Sequence, residues 1–315
     1  MQGKWINKPQ GDTTVVFVHG ILSTGEECWK NDKGAYWPDL LKKQQGFENT
    51  GIYVFSYSTG FFSGNFSIGD AVDSLRELAK LDKVFETAKR IVFVCHSMGG
   101  IVVRRFIVKY QKFFSEKQYP VGLFLVASPS LGSDYANWLS IITEAMGHTQ
   151  AKALKFSQQN VWLNDLDRDF HNLIRMETPA FPVRGKELIE DKAWFPKKAG
   201  FLRMFWKKQV VEPFSGAKYF GEPYKVPLSD HISIAKPENA DAIQHRLLCQ
   251  FIAEMPEAML KPVQNANQGD SINIKADGDV VFAKDRAKAY HIKNSQIGVM
   301  GDNAVIKNGI HFNTK

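Results

Sequence analysis

Ile91-Val92-Phe93-Val94-Cys95-His96-Ser97-Met98-Gly99-Gly100 carries an unbroken apolar run through a serine and into a pair of glycines. The next ten residues, Ile101 to Tyr110, read as a helix. A strand that ends in a tight turn and restarts as a helix lifts the residue at its apex above the carboxyl edge of a sheet. Ser97 is that residue, which makes it a candidate nucleophile. The turn is strained and needs small residues two positions to either side, where a Cβ meets a neighbouring strand or helix. Here those positions are Cys95 and Gly99, with cysteine in place of the more usual glycine. A serine between small residues is also a common ordinary turn, so the weight comes from the rest of the chain.

Thr14-Val15-Val16-Phe17-Val18 reads as a strand buried on both faces and leads into His19-Gly20-Ile21. Acyl transfer needs two backbone N–H groups aimed where the carbonyl oxygen becomes negative. A glycine-freed loop plus the residue after the nucleophile supplies them, and Ile21 and Met98 are the expected donors. A serine hydroxyl also needs a base. Of eight histidines, His231 is the candidate, in the loop Asp230-His231-Ile232-Ser233 ahead of a helix starting near Pro237. A helix-capping or merely exposed histidine is the plain alternative. The carboxylate that orients the base belongs between nucleophile and histidine in chain order. The strand Ala180 to Arg184 puts Glu187 just beyond its carboxyl end, the first choice; Glu190, Asp191, Asp165 and Asp167 are the other carboxylates in play.

Strands expected at 14–18, 51–57, 91–95, 121–127 and 180–184 alternate with helical stretches near 35–45, 70–89, 98–114, 131–175 and 237–254. That alternation predicts an α/β fold, a mostly parallel sheet with helices on both faces. Between 70 and 85 the apolar residues Ala71, Val72, Leu75, Leu78, Ala79 and Val84 form one helical face.

Several landmarks occur in order: Val15-Val16-Phe17-Val18-His19-Gly20, Tyr36-Trp37-Pro38-Asp39-Leu40-Leu41, Val54-Phe55-Ser56-Tyr57, His96 to Gly100, and Asp230 to Pro237. Together they resemble the α/β-hydrolases related to serine-active-site-containing lipase-like proteins and GPI inositol-deacylases, over roughly residues 13 to 254. The resemblance implies an α/β-hydrolase fold and a Ser, acid, His order carried by Ser97, Glu187 and His231. It implies a serine esterase or lipase acting through an acyl-serine, with water completing the cycle and no cofactor. Ala127-Ser128-Pro129-Ser130 resembles the family's small-residue turn, with serine where histidine is more usual after proline. A non-catalytic scaffold that assembles through its tail is the competing class.

The chain has 315 residues, 44% hydrophobic and 23% charged, enough for one large domain, 1–260, and an appendage, 261–315. Cys28, Cys95 and Cys249 have neither metal-ligand spacing nor an even count, which favours a reducing, cytoplasmic setting. Met1 to Pro9 lacks the apolar core of a secretory signal, and no run is long enough to span a bilayer. An insertion at about 185–225 has its own character. Arg184 to Lys208 holds eight basic residues against three acidic ones, a surplus of five within a chain of net charge +7. Trp194, Phe195, Phe201, Phe205 and Trp206 are interleaved with them, and Lys207 and Lys208 follow. Rings and lysines together suit an anionic membrane surface; a lid whose rings pack on the core is the plainer reading. Nucleic acid is disfavoured, because no recognition motif accompanies the charge. The β-prone, Gly- and Asn-rich tail repeats a G-D-x-x-x-I-K pattern at Gly269 and Gly301. Asn294 to Asn303 resembles the core of RIP homotypic interaction motifs, so residues 294–312 are candidates for self-assembly or partner pairing.

Overall fold

The computed structural model describes residues 2–20, 25–57, 68–129, 160–176, 180–192 and 219–256, with the short strands 280–282 and 290–292. Residues 1–260 and 261–315 form two separate units. In the first, seven strands form one sheet: β1 (Gln2–Asn7), β2 (Thr13–Val18), β3 (Gly51–Ser56), β4 (Arg90–His96), β5 (Val121–Val126), β6 (Val183–Glu190) and β7 (Tyr224–Val226), in the order β1-β3-β2-β4-β5-β6-β7. All neighbours are parallel except β1 against β3. Among the described residues the helices are α1 (Trp37–Lys43), α2 (Ile68–Leu81), α3 (Gly99–Lys109), α4 (Gln111–Lys117), α5 (Asn160–Arg175) and α6 (Ile243–Ala253). In the second unit β8 (Val280–Phe282) pairs antiparallel with β9 (Tyr290–Ile292). The expected parallel sheet with helices on both faces is the fold found.

The uninterrupted β-branched run in β2 makes sense once both faces are covered. Side chains alternate across a strand. Val16 and Val18 enter one core with Ala71, Val72 and Leu75 of α2, Phe106 of α3 and Phe170 of α5. Val15 and Phe17 enter the other, with Trp37 and Leu41 of α1 and Leu248 and Ile252 of α6. The same parity runs through β5, where Leu123 and Leu125 face the first core and Phe124 and Val126 the second.

The boundary of β6 departs from the sequence expectation. The strand begins at Val183 and continues to Glu190, whereas the apolar pattern suggested 180–184. Arg184, Gly185, Lys186 and Glu187 are poor strand formers by composition. Six consecutive pairings with β5, from Val121 with Val183 to Val126 with Leu188, nonetheless hold them extended. The helix expected at 237–254 is likewise regular only from Ile243.

One buried cation ties the sheet edge to the helices. Arg104 of α3 is fully buried and donates to the Gly100 carbonyl at 3.1 Å, the Pro129 carbonyl at 2.5 Å and Asp167 Oδ1 of α5 at 2.7 Å. Tyr219 joins the cluster, accepting from Arg104 and donating to Asp167. A buried guanidinium must have such partners, since stripping it of water without them costs several kcal/mol.

Candidate active site

β4 ends at His96, and the chain turns at Ser97 with φ +54°. A non-glycine residue there is strained, and surrounding contacts must hold it. Ser97 N–H donates to the Val126 carbonyl at 3.0 Å, carrying the β4–β5 ladder one residue past the strand, and α3 starts two residues later. Close approach explains two glycines. A Cβ on Gly99 would lie 2.3 Å from the Val18 carbonyl oxygen, and one on Gly20 would lie 2.6 Å from Ser97 Cβ. Cys95 is accommodated because its side chain enters the first core, where burial pushes its thiol well above the usual range and leaves it inert as a nucleophile.

Ser97 Oγ lies 3.1 Å from His231 Nε2, and His231 Nδ1 lies 3.2 Å from Glu190 Oε1. Both Ser97 and His231 are buried. With Nδ1–H donating to the carboxylate, Nε2 is left to accept from the serine hydroxyl. Burial pushes the Glu190 carboxyl up, but the hydrogen bond and charge of His231 outweigh it, and the group sits below the ordinary glutamate value. The third member of this chain of contacts is thus Glu190 and not Glu187. Strand parity is the reason: Glu190 shares a face with Leu188, whereas Glu187 points to the opposite core. There Glu187 Oε1 accepts from the N–H groups of Tyr219 at 3.0 Å and Phe220 at 3.3 Å. The other carboxylates are also occupied elsewhere. Asp165 pairs with Arg168 on the surface of α5, Asp167 pairs with Arg104, and Asp191 Oδ2 accepts from Leu228 N–H.

The loop carrying His231 is wired at several points. Asp191 and Lys192 donate their N–H groups to the Ser229 carbonyl, tying the loop to the end of β6. Asp230 Oδ1 accepts from Ile232 N–H at 3.0 Å and Ser233 N–H at 2.8 Å, shaping the short 3-10 turn Ser233–Ala235. His96 adds a fastening that the sequence did not disclose. Its Nε2–H donates to the His231 carbonyl at 2.7 Å, while its Nδ1 accepts from the Cys28 thiol at 3.3 Å. Burial lowers its pKa to about 3, with the nearby charge of His231 acting the same way, so the ring is neutral and its tautomer fixed. His19 is built alike. Nδ1–H donates to the Gly20 carbonyl at 2.7 Å, Nε2 accepts from Tyr57 N–H at 3.1 Å, and burial lowers its pKa to about 4. Neutral His19 thereby shapes the loop that brings Gly20 against Ser97.

Met98 follows Ser97 at the start of α3 and is fully buried. Ile21, the other expected oxyanion donor, lies outside the described residues, as do Trp194, Phe195, Phe205, Trp206, Lys207, Lys208 and residues 294–312. Among the described residues, no three His, Cys, Asp or Glu side chains gather to hold a metal ion, and no helix is long and apolar enough to cross a membrane.

Comparison with known proteins places the chain in a family. No curated protein matches the sequence. Solved structures with a similar chain course include the lipase BlEst2 of Bacillus licheniformis, 14% identical, covering 80% of this chain and 96% of that one with a TM-score of 0.43. A lipase-esterase related protein of Clostridium acetobutylicum is 13% identical, covering 81% and 99% with a TM-score of 0.42. Phospholipase PlaB of Legionella pneumophila is 18% identical over 65% of this chain and 42% of that one, with a TM-score of 0.39. The model of the alpha/beta hydrolase family matches residues 15–266, and the chain belongs to that family.

Proposed function

We propose that the protein hydrolyses carboxylic esters, with the acyl group of a lipid as the preferred substrate, through an acyl-enzyme on Ser97. The observation that carries this reading is the continuous contact from Ser97 Oγ through His231 to Glu190, at 3.1 and 3.2 Å. Ser97 Oγ attacks the ester carbonyl as His231 Nε2 takes its proton. Glu190 holds the imidazole in the required tautomer and stabilises the imidazolium. The oxyanion is met by the Met98 N–H and, by the sequence reading, by that of Ile21. His231 returns the proton to the departing alkoxide, an alcohol leaves, and the acyl group stays on Ser97. Water then attacks with His231 as base, releasing a carboxylic acid and restoring the serine.

The lipid preference is supported by the basic, aromatic composition of 184–208, which suits contact with an anionic membrane. Labelling with a fluorophosphonate below stoichiometry, followed by peptide mapping, tests the chemistry. Modification of Ser97 alone, and loss of ester hydrolysis in a folded Ser97→Ala protein, is expected; full turnover by Ser97→Ala refutes the assignment. Binding to anionic vesicles that exceeds binding to neutral ones, and falls when Trp206, Lys207 and Lys208 become Ala, tests the membrane contact.

A further inference from the structure

A cavity lies among α2, the turn after it, α3 and α4, and shares no residue with the site around Ser97. Its volume is about 220 Å³, the liquid volume of about seven waters. The buried or half-buried side chains lining it are Ala79, Phe85, Phe106, Tyr110 and Phe113, and the Tyr110 hydroxyl donates to Asp73. The exposed residues around it are Arg76, Lys80, Lys83 and Lys117, with Glu86 as the one carboxylate. Glu86 is engaged by Lys83 at 3.4 Å, and Arg76 lies over the Tyr110 ring at 4.7 Å while pairing with Glu77. Among the described residues Lys80 and Lys117 make no ion pair. Lys80 comes from α2 and Lys117 from the end of α4, so the two free ammonium groups belong to separate elements of the same pocket.

An apolar interior demands an apolar ligand body, and a positive rim demands an anionic end. Neither half alone specifies a ligand; together they select an amphiphile whose charge is confined to one tip. We propose that this cavity binds a medium-chain fatty carboxylate, its chain among Phe85, Phe106 and Phe113 and its carboxylate at Lys80 and Lys117. The volume admits a segment of acyl chain and excludes a whole two-chain lipid. This inference is independent of the chemistry assigned to Ser97 and stands or falls separately from it.

The test uses the full chain carrying Ser97→Ala, so that no turnover intervenes, and a decanoate bearing a terminal diazirine. Photolabelling is expected in peptides spanning residues 76–86 and 106–117. Decanoate should compete, whereas decanol and decyltrimethylammonium should not. Lys80→Glu with Lys117→Glu alters only exposed side chains, leaves the fold intact by circular dichroism, and should weaken decanoate binding at these peptides by about tenfold or more. Raising salt should weaken it in the unaltered rim as well. Labelling confined to other segments, equal competition by decanol, or undiminished binding in the double charge reversal would each overturn the proposal.

Discussion

Exchanging Glu190 for Gln separates the two glutamates of β6 most sharply. The carboxylate receives Nδ1–H of His231 at 3.2 Å. A glutamine of the same length can turn its amide N–H toward Nδ1, which forces the proton onto Nε2. Nε2 then cannot accept from Ser97 Oγ, which it faces at 3.1 Å. Wrong-tautomer substitutions of this kind cost about 10³–10⁴ in kcat, or about 4–5.5 kcal/mol of barrier at about 1.36 kcal/mol per tenfold. KM should change little, because substrate need not touch the carboxylate. Glu187→Gln makes the contrast. Its amide oxygen can still accept from Tyr219 and Phe220 N–H, so we expect a change in kcat below about tenfold and a stability loss of about 1–2 kcal/mol. Initial rates on a p-nitrophenyl ester, with urea unfolding of each variant, give both quantities. Near-normal kcat in a folded Glu190→Gln protein, with the large loss appearing in Glu187→Gln instead, would refute the geometry.

Acid should destabilise the fold through two buried histidines. His19 and His96 have pKa values lowered to about 4 and about 3, against an ordinary 6.5, so below pH 6.5 the unfolded chain binds the extra protons and stability falls with pH. Between pH 7 and pH 5 the two together cost roughly 4 kcal/mol; flat chemical-denaturation midpoints over that range would contradict the neutral assignment. His96→Ala removes the 2.7 Å tether to the His231 carbonyl and should lower kcat by about 10²-fold through misplacement of the base, with KM little changed; fluorophosphonate labelling rates report the same loss without substrate. Gly99→Ala drives a Cβ to 2.3 Å from the Val18 carbonyl oxygen, and thermal melts should show a loss of about 2 kcal/mol or more together with loss of activity. An unaltered melting curve would mean the elbow is looser than described.

The central strands were legible because β2, β4 and β5 are buried on both faces and carry continuous apolar runs. The turn at Ser97 was legible because strand, serine and glycine are local in sequence. Glu190 was not. Six of the eight residues of β6 are half-buried or exposed, so its pattern is mixed, and its extended state comes from pairing with β5 rather than from propensity. An error of a few residues in where the strand ends then selects a carboxylate on the wrong face. β1 escaped notice for the same reason, since Gln2–Asn7 has no buried residue. The role of His96 depends on a contact across 135 positions, which no local pattern encodes.

The guanidinium of Arg104 marks a border between what this fold must keep and what it is free to change. It grips Gly100 behind the nucleophile and also fixes Pro129 and Tyr219, the points where the chain leaves β5 for residues 130–159 and returns from residues 193–218. Segments strung between such fixed ends can lengthen at about 0.6 kcal/mol for each doubling. Descendants of this chain could therefore exchange whole stretches between these points while the contacts from Ser97 through His231 to Glu190 stay in register.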